Sequence, residues 1–167
     1  MASLGHVIAG FGGARVHDAR FHWKSMVAFA AFALLPDLDV IGFRFGIAYS
    51  DPLGHRGASH SIVFAVLVAL VGLALTRSRK STLILFLVVL SHPLLDMLTD
   101  GGLGVALFWP FSNQRLFFPW TPLPVAPIGR GMLSARGAYV LLVESLVFAP
   151  ALVLPVLWAR WKGKGAT

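Results

Sequence analysis

The sequence of 167 residues contains no cysteine, so disulfide bonds within the chain and thiolate metal ligands are both excluded. Charged residues are also scarce, at 13% of the chain, and only seven residues are acidic. Hydrophobic residues make up 57%, which is more than an ordinary soluble domain contains. The composition therefore predicts an integral membrane protein, and the length predicts one domain over residues 1–167.

The basic residues give the chain a formal net charge of +7. They do not form one patch but lie in short clusters between apolar stretches, such as RSRK at 77–80 and RWKGK at 160–164. This pattern is typical of loops that face an anionic membrane surface. We therefore expect the bilayer, and no nucleic acid, as a partner, while the sequence leaves the oligomeric state open.

Long apolar stretches predict an all-α integral membrane bundle with about three to five membrane-embedded helices. A short helix at residues 3–11 is expected to end at Gly12 and Gly13, and Pro36 is expected to end the next helix. Residues 100–136 are rich in Gly, Pro and aromatic residues, which predicts a re-entrant or interfacial segment. The remaining helices are predicted at residues 25–35, 59–76, 81–99 and 138–158.

Ionisable side chains lie in three short motifs at the ends of these apolar stretches: LPDLD at 35–39, HRGASHS at 55–61 and SHPLLD at 91–96. Such groups are expensive at membrane depth, so a functional role is their default interpretation. His92 and Asp96 are four residues apart and share one helix face. Alone, this pair could merely lock a helix kinked by the proline between them, but the three motifs together indicate a metal site.

The distribution of basic residues predicts on which side of the membrane this site lies. Nine basic residues fall on one side of the predicted helices and five on the other. The side with more basic residues is expected to be cytoplasmic. The three motifs then share the opposite face, which predicts a multi-pass protein of the inner (plasma) membrane with an extracytoplasmic active site.

Imidazole and carboxylate groups are ligands that zinc, manganese and iron all accept. Seven candidates exceed what one tetrahedral ion needs, and they suit one or two divalent ions that activate a water molecule, zinc being the first choice. His55 and His60 are separated by a loop, so their spacing does not fix their geometry. The predicted metal ligands are His6, Asp37, Asp39, His55, His60, His92 and Asp96.

Other polar residues near these motifs are predicted to assist. Asp100 lies one helical turn beyond Asp96 and is expected to act in catalysis as a partner of a ligand histidine. Arginine side chains match the oxygens of a phosphate group. Arg56 is accordingly predicted to be catalytic, and Asn113, Arg115 and Arg130 are predicted to bind substrate. Glu144, the only glutamate, either faces the site or neutralises a basic residue elsewhere.

The ordered set of motifs resembles the YdjM-type inner-membrane metal-dependent hydrolases, a family under LexA control. It consists of Gly5-His6, LPDLD at 35–39, HRGASHS at 55–61, SHPLLDMLTDGG at 91–102 and WPFSNQRLFF at 109–118. The resemblance covers most of the chain and implies metal-dependent hydrolysis. More remotely, the His/Asp set is similar to that of zinc-dependent phospholipase C and related nucleases, which cleave phosphoesters. Many family members have threonine where this chain has Gly5.

These observations lead to one main hypothesis and three alternatives. The main hypothesis is a membrane hydrolase that cleaves a phosphoester of a lipid or lipid-linked substrate with a metal-activated water. A lipid amidase similar to ceramidases would use the same ligand types on a different bond. A metal-ion transporter is disfavoured because all the predicted ligands lie at one end of the helices. A purely structural metal site would need fewer ligands.

Overall fold

Five α-helices and three short 3₁₀ segments form the protein in a computed structural model that describes residues 4–18 and 21–164, with side chains to residue 151. The described residues contain no β-strand, so the predicted all-α class is confirmed. The 3₁₀ segments are Leu35–Phe45, Ala58–His60 and Gly129–Leu133. The α-helices are α1 (Leu4–Asp18), α2 (Trp23–Leu34), α3 (Ile62–Thr76), α4 (Arg79–Asp96) and α5 (Ala135–Lys164).

Helix α1 continues through Gly12 and Gly13, so the prediction that these glycines end it was wrong. The reason is close packing between helices. A Cβ atom on Gly13 would lie 2.3 Å from Cγ2 of Val88 in α4, and one on Gly10 would lie 2.6 Å from Cα of Ala30 in α2. These glycines therefore let α1 approach both neighbouring helices, and this contact offsets their low helix propensity.

Helix α2 ends at Leu34, just before Pro36 as predicted, and the chain continues directly into the 3₁₀ segment Leu35–Phe45. Proline lacks an N–H group and is tolerated in the first turn of a helical segment, which is its position here. The combined stretch Trp23–Phe45 has 23 residues and is long and apolar enough to cross a membrane. Helix α3 is equally apolar in character but shorter, with 15 residues.

Helix α4 packs against α1, α2 and α3, and so forms the centre of the bundle. Ser78 caps its start by accepting a hydrogen bond from the backbone N–H of Ser81. Ser61 caps α3 in the same way, through the N–H of Phe64 at 3.0 Å. Both caps fix where these helices begin, and the Ser61 cap thereby sets the level of His60 beside it.

Residues 97–134 form an irregular segment that covers one end of α3 and α4. The segment is tied to itself by backbone hydrogen bonds between Val105 and Leu116, and to Arg56 by the N–H of Ala106. Met97, Val105 and Leu107 form a small buried core beneath it. The segment thus closes the end of the bundle at which the three sequence motifs meet.

Candidate metal centre

Three separate parts of the chain bring four ligand-type side chains together. Atoms of Asp37, His60, His92 and Asp96 all lie within 4.8 Å of one another, and three of these residues are buried. A second group of Asp39, His55 and His60 satisfies the same distance limit and shares His60 with the first. The 3₁₀ segment after α2, the start of α3 and the end of α4 supply these residues.

The hydrogen bonds of the two central histidines show which ring nitrogen faces the cluster. Nδ1 of His92 lies 2.6 Å from the carbonyl oxygen of Ala33, which can only accept, so this nitrogen donates. Nδ1 of His60 lies 3.1 Å from an oxygen of Asp39 and donates for the same reason. Both Nε2 atoms therefore point lone pairs at each other across 3.1 Å. Such an arrangement requires a cation or a proton between them.

The distances between these atoms suit one metal ion. Oδ1 of Asp37 lies 3.2 Å from Nε2 of His92 and 3.6 Å from Nε2 of His60. Oδ2 of Asp96 lies 3.5 Å from Nε2 of His60 and 3.8 Å from Nε2 of His92. Ligands about 2.0–2.1 Å from a tetrahedral zinc ion would be roughly 3.3 Å apart. Five of the six separations among the four atoms are thus close to the edge length of a zinc-sized tetrahedron, and the sixth is below 4.8 Å.

The carboxylates around His60 favour a positive charge at this place. Burial alone would lower the pKa of His60, but hydrogen bonds to Asp37, Asp39 and Asp96 reverse this effect and raise the pKa to about 10. A divalent ion would supply the same positive charge, and it would compete with the proton for the lone pair of Nε2.

Asp39 holds the surrounding residues through both of its oxygens. Oδ1 lies 2.7 Å from Nδ1 of His55. Oδ2 accepts from the hydroxyl of Ser59 at 2.6 Å and from the backbone N–H of Arg56 at 3.2 Å, and it faces Nδ1 of His60. A carboxylate with these contacts can orient both histidines. Asp39 also belongs to the second group that could hold an ion, so its predicted role as a ligand stays a prediction, as does the number of ions.

His6 lies against this cluster from α1. Its ring stacks on that of His92 with the centroids 3.6 Å apart, and its Nε2 lies 3.5 Å from Oδ1 of Asp96. The side chain is fully buried, yet neither ring nitrogen has a hydrogen-bond partner among the described residues. Buried polar atoms are nearly always satisfied, so these nitrogens fit the predicted role of His6 as a metal ligand. Glu144 is also buried nearby and accepts from the N–H of Gly5 at 3.4 Å.

Arg56 lies beside the cluster and is almost fully buried. Its Nε is 3.1 Å from Oδ2 of Asp96, and its other nitrogens donate to the carbonyl of Gly101 at 2.9 Å and to the hydroxyl of Thr99 at 3.1 Å. Its backbone has a φ of 62°, a left-handed conformation that few non-glycine residues adopt. This turn sends the side chain back toward the end of α4.

The other residues predicted to assist lie in different surroundings. Arg115 donates to the backbone carbonyls of Tyr49, Asp51 and His55 at 2.9–3.2 Å, so its guanidinium holds the loop before α3. Asp100 accepts from the backbone N–H of Val125 at 2.6 Å. None of Asp100, Asn113, Arg115 and Arg130 is among the described residues that line the cavity beside the cluster, and their predicted roles remain predictions.

This cavity has a volume of about 530 Å³ and opens from the cluster. Its polar part includes Tyr49, which sequence reasoning missed, because a single tyrosine in a loop follows no ligand or helix pattern. Burial raises the pKa of the Tyr49 phenol, so the hydroxyl is protonated near neutral pH. The polar lining is Asp37, Tyr49, His55, Arg56 and Asp96, and the apolar lining is Val40, Val125, Ala126, Pro127, Ile128 and Met132.

Comparison with known proteins gives two matches to membrane proteins. Residues 1–164 match the family model described as YdjM inner membrane protein. The chain is also 41% identical over 137 residues to inner membrane protein YbcI of Escherichia coli strain K12, an alignment that covers 77% of this chain and 79% of that protein. No solved structure matches. The resemblance predicted from the motifs is thereby confirmed, as is an inner membrane location.

Proposed function

Since the chain belongs to the YdjM family of inner membrane proteins, we propose that its His/Asp cluster is the metal centre of a membrane hydrolase. One observation carries this proposal: two imidazole lone pairs and two carboxylate oxygens converge with separations of 3.1–3.8 Å. Four ligand atoms at such distances, in surroundings that favour a positive charge between them, fit a bound metal ion, with zinc as the first choice and manganese or iron as alternatives.

The substrate that fits the cavity best is a phosphoester of a lipid or lipid-linked molecule. The polar lining includes residues of the cluster, and most of the apolar lining comes from residues 125–132. A headgroup at the polar end would leave its hydrocarbon chain against Val125, Ile128 and Met132. We propose that the chain enters from the bilayer and that the protein crosses the membrane several times, with the centre on the extracytoplasmic side.

Each residue of the site has a part in the proposed reaction. A divalent ion, when bound, supplies an activated water and a positive charge for the phosphoryl oxygens. Asp37, His60, His92 and Asp96 would hold it. Asp39 fixes the ring of His55, which lines the cavity and can exchange a proton with the substrate at Nε2. Arg56 offsets the negative charge of Asp96.

The test removes one of the four proposed ligands. We expect His92→Ala to lose bound metal, measured by elemental analysis of the purified protein, and to lose phosphate release from a panel of lipid phosphoesters. Because His22 is exposed and lies at the start of α2, His22→Ala serves as the matched control and should retain both properties. Full hydrolysis by a metal-free His92→Ala variant would overturn the proposal.

The same panel separates the phosphoester hypothesis from the amidase alternative. Phosphate release without fatty-acid release supports a phosphoesterase, and fatty-acid release from an amide-linked lipid supports an amidase. Metal uptake into proteoliposomes would instead support transport, although the cluster lies at one end of α4 and α3 next to it presents apolar side chains.

A further inference from the structure

Tyr49 and Arg56 converge on the same part of the cavity wall, with Gly102 between them. Gly102 has a φ of +87°, and a Cβ atom built on it would lie 2.7 Å from the hydroxyl oxygen of Tyr49 and 3.0 Å from Nη1 of Arg56. The Tyr49 hydroxyl and the Arg56 guanidinium therefore both flank Gly102, and all three residues line the cavity. A glycine is needed here both for the backbone conformation and to leave that space clear.

Both side chains retain donor capacity toward the cavity. The guanidinium of Arg56 carries five N–H groups. Three of them account for its contacts with Asp96, Gly101 and Thr99, which leaves two. The phenol oxygen of Tyr49 accepts a hydrogen bond from the backbone of Leu103, so the hydroxyl proton is available to another acceptor.

The two donors are also held rigidly before any ligand arrives. Arg115 binds the carbonyl of Tyr49 at 3.2 Å, and the carbonyl of Arg56 accepts from Ala106 at 2.9 Å. The Tyr49 ring packs against that of His55 with the centroids 5.2 Å apart. Donors that are fixed in advance lose little conformational entropy when an anion binds.

We propose that Tyr49 and Arg56 form an oxyanion notch that binds a phosphoryl oxygen of the substrate in the cavity that Asp37 also lines. This inference rests on the proposed function and narrows its chemistry. A tetrahedral phosphoryl group has several non-bridging oxygens and can direct one to the metal centre and another to the notch. A planar amide carbonyl has one oxygen and cannot occupy both. The notch therefore favours a phosphoester over an amide.

The first test measures binding of inorganic phosphate to the purified, metal-loaded protein in detergent. We expect Tyr49→Phe to weaken phosphate binding about tenfold, because one hydrogen bond to a charged group is lost. Bound metal should stay at the wild-type level. The matched control is Tyr139→Phe, which removes the hydroxyl of an exposed tyrosine on α5. Unchanged phosphate affinity in Tyr49→Phe, or no phosphate binding by the wild-type protein, would overturn the notch.

A second arm distinguishes a lipid headgroup from free phosphate. If the notch receives headgroups, a lipid monophosphate in detergent micelles should bind Tyr49→Phe more weakly than it binds the wild-type protein, by the same factor as inorganic phosphate. An effect confined to inorganic phosphate would identify the free ion as the ligand of the notch. Gly102→Ala provides an independent variant, since its methyl group would enter the space between the two donors and should also weaken phosphate binding.

The outcomes separate this inference from the proposed function. If Tyr49→Phe binds phosphate like the wild type while His92→Ala loses both metal and hydrolysis, only the notch is wrong. If Tyr49→Phe weakens phosphate binding but no lipid phosphoester in the panel is cleaved by the wild type, the notch stands and the proposed hydrolase does not.

Discussion

At the scale of single residues, Asp39 has the most informative contacts. Its two oxygens orient His55 and His60, so we expect Asp39→Asn to weaken metal binding 10- to 100-fold without abolishing it, as is typical when the partner of a ligand histidine is altered. Competition with a chromophoric chelator measures this affinity. Asp37→Asn should weaken metal binding more than Asp39→Asn does. Asp18→Asn, at the other end of α1, should leave the metal affinity unchanged. Equal losses in Asp37→Asn and Asp39→Asn would instead place Asp39 among the ligands.

Residue spacing predicted one part of the centre and left another open. His92 and Asp96 lie one turn apart on α4, as the i, i+4 rule requires, and both reach the cluster. The relation between His55 and His60 could not be predicted, because it depends on the left-handed backbone of Arg56 between them. Tyr49 was missed because its proximity to Gly102 arises from folding of residues far apart in sequence.

At the scale of helices, adjacent glycines of α1 provide a matched pair of variants. We expect Gly13→Ala to destabilise the protein by about 1–3 kcal/mol, because the added methyl group would overlap Val88. Nothing lies within 4 Å of a Cβ atom on Gly12, so Gly12→Ala should stabilise the protein by roughly 0.5–1 kcal/mol through helix propensity. Thermal unfolding in detergent compares the two. A lower melting temperature for Gly12→Ala would contradict the described packing of α1.

Glycine misled one sequence-based boundary, whereas proline predicted another correctly. Local rules treat both residues as ends of helices, but Gly13 serves the contact between α1 and α4, while α2 does end just before Pro36, which lies in the first turn of a 3₁₀ segment. Tertiary packing therefore overrode the local rule only for the glycine. The apolar stretches themselves predicted the helices well, because burial or lipid exposure over many residues outweighs one breaker.

For the whole molecule, metal occupancy should determine stability. Without an ion, buried carboxylates such as Asp96 lose a neighbouring positive charge. An ion that binds only the folded state adds about 2.7 kcal/mol to the free energy of unfolding when its free concentration is one hundred times the dissociation constant. We therefore expect removal of metal by a chelator to lower the melting temperature by several degrees and added zinc to restore it. His92→Ala should show no response to either treatment. A chelator-insensitive wild-type protein would argue against a resident ion.

The absence of cysteine makes the orientation directly testable, since any introduced thiol is unique. Phe111 is 86% exposed in the irregular segment, and Arg79 is exposed at the opposite end of α4. We expect a membrane-impermeant maleimide to label Phe111→Cys in intact spheroplasts and Arg79→Cys only after permeabilisation. The reverse pattern would place the centre on the cytoplasmic side.

The cavity joins two parts of the chain that are separate in sequence. Every atom of the four-residue cluster comes from residues 37–96, whereas most of the apolar wall comes from residues 125–132. Exchange of that short wall segment could alter which hydrocarbon chain is admitted while leaving ion capture intact. Relatives built on this plan could therefore share one chemistry and differ in the hydrocarbon chain that they accept.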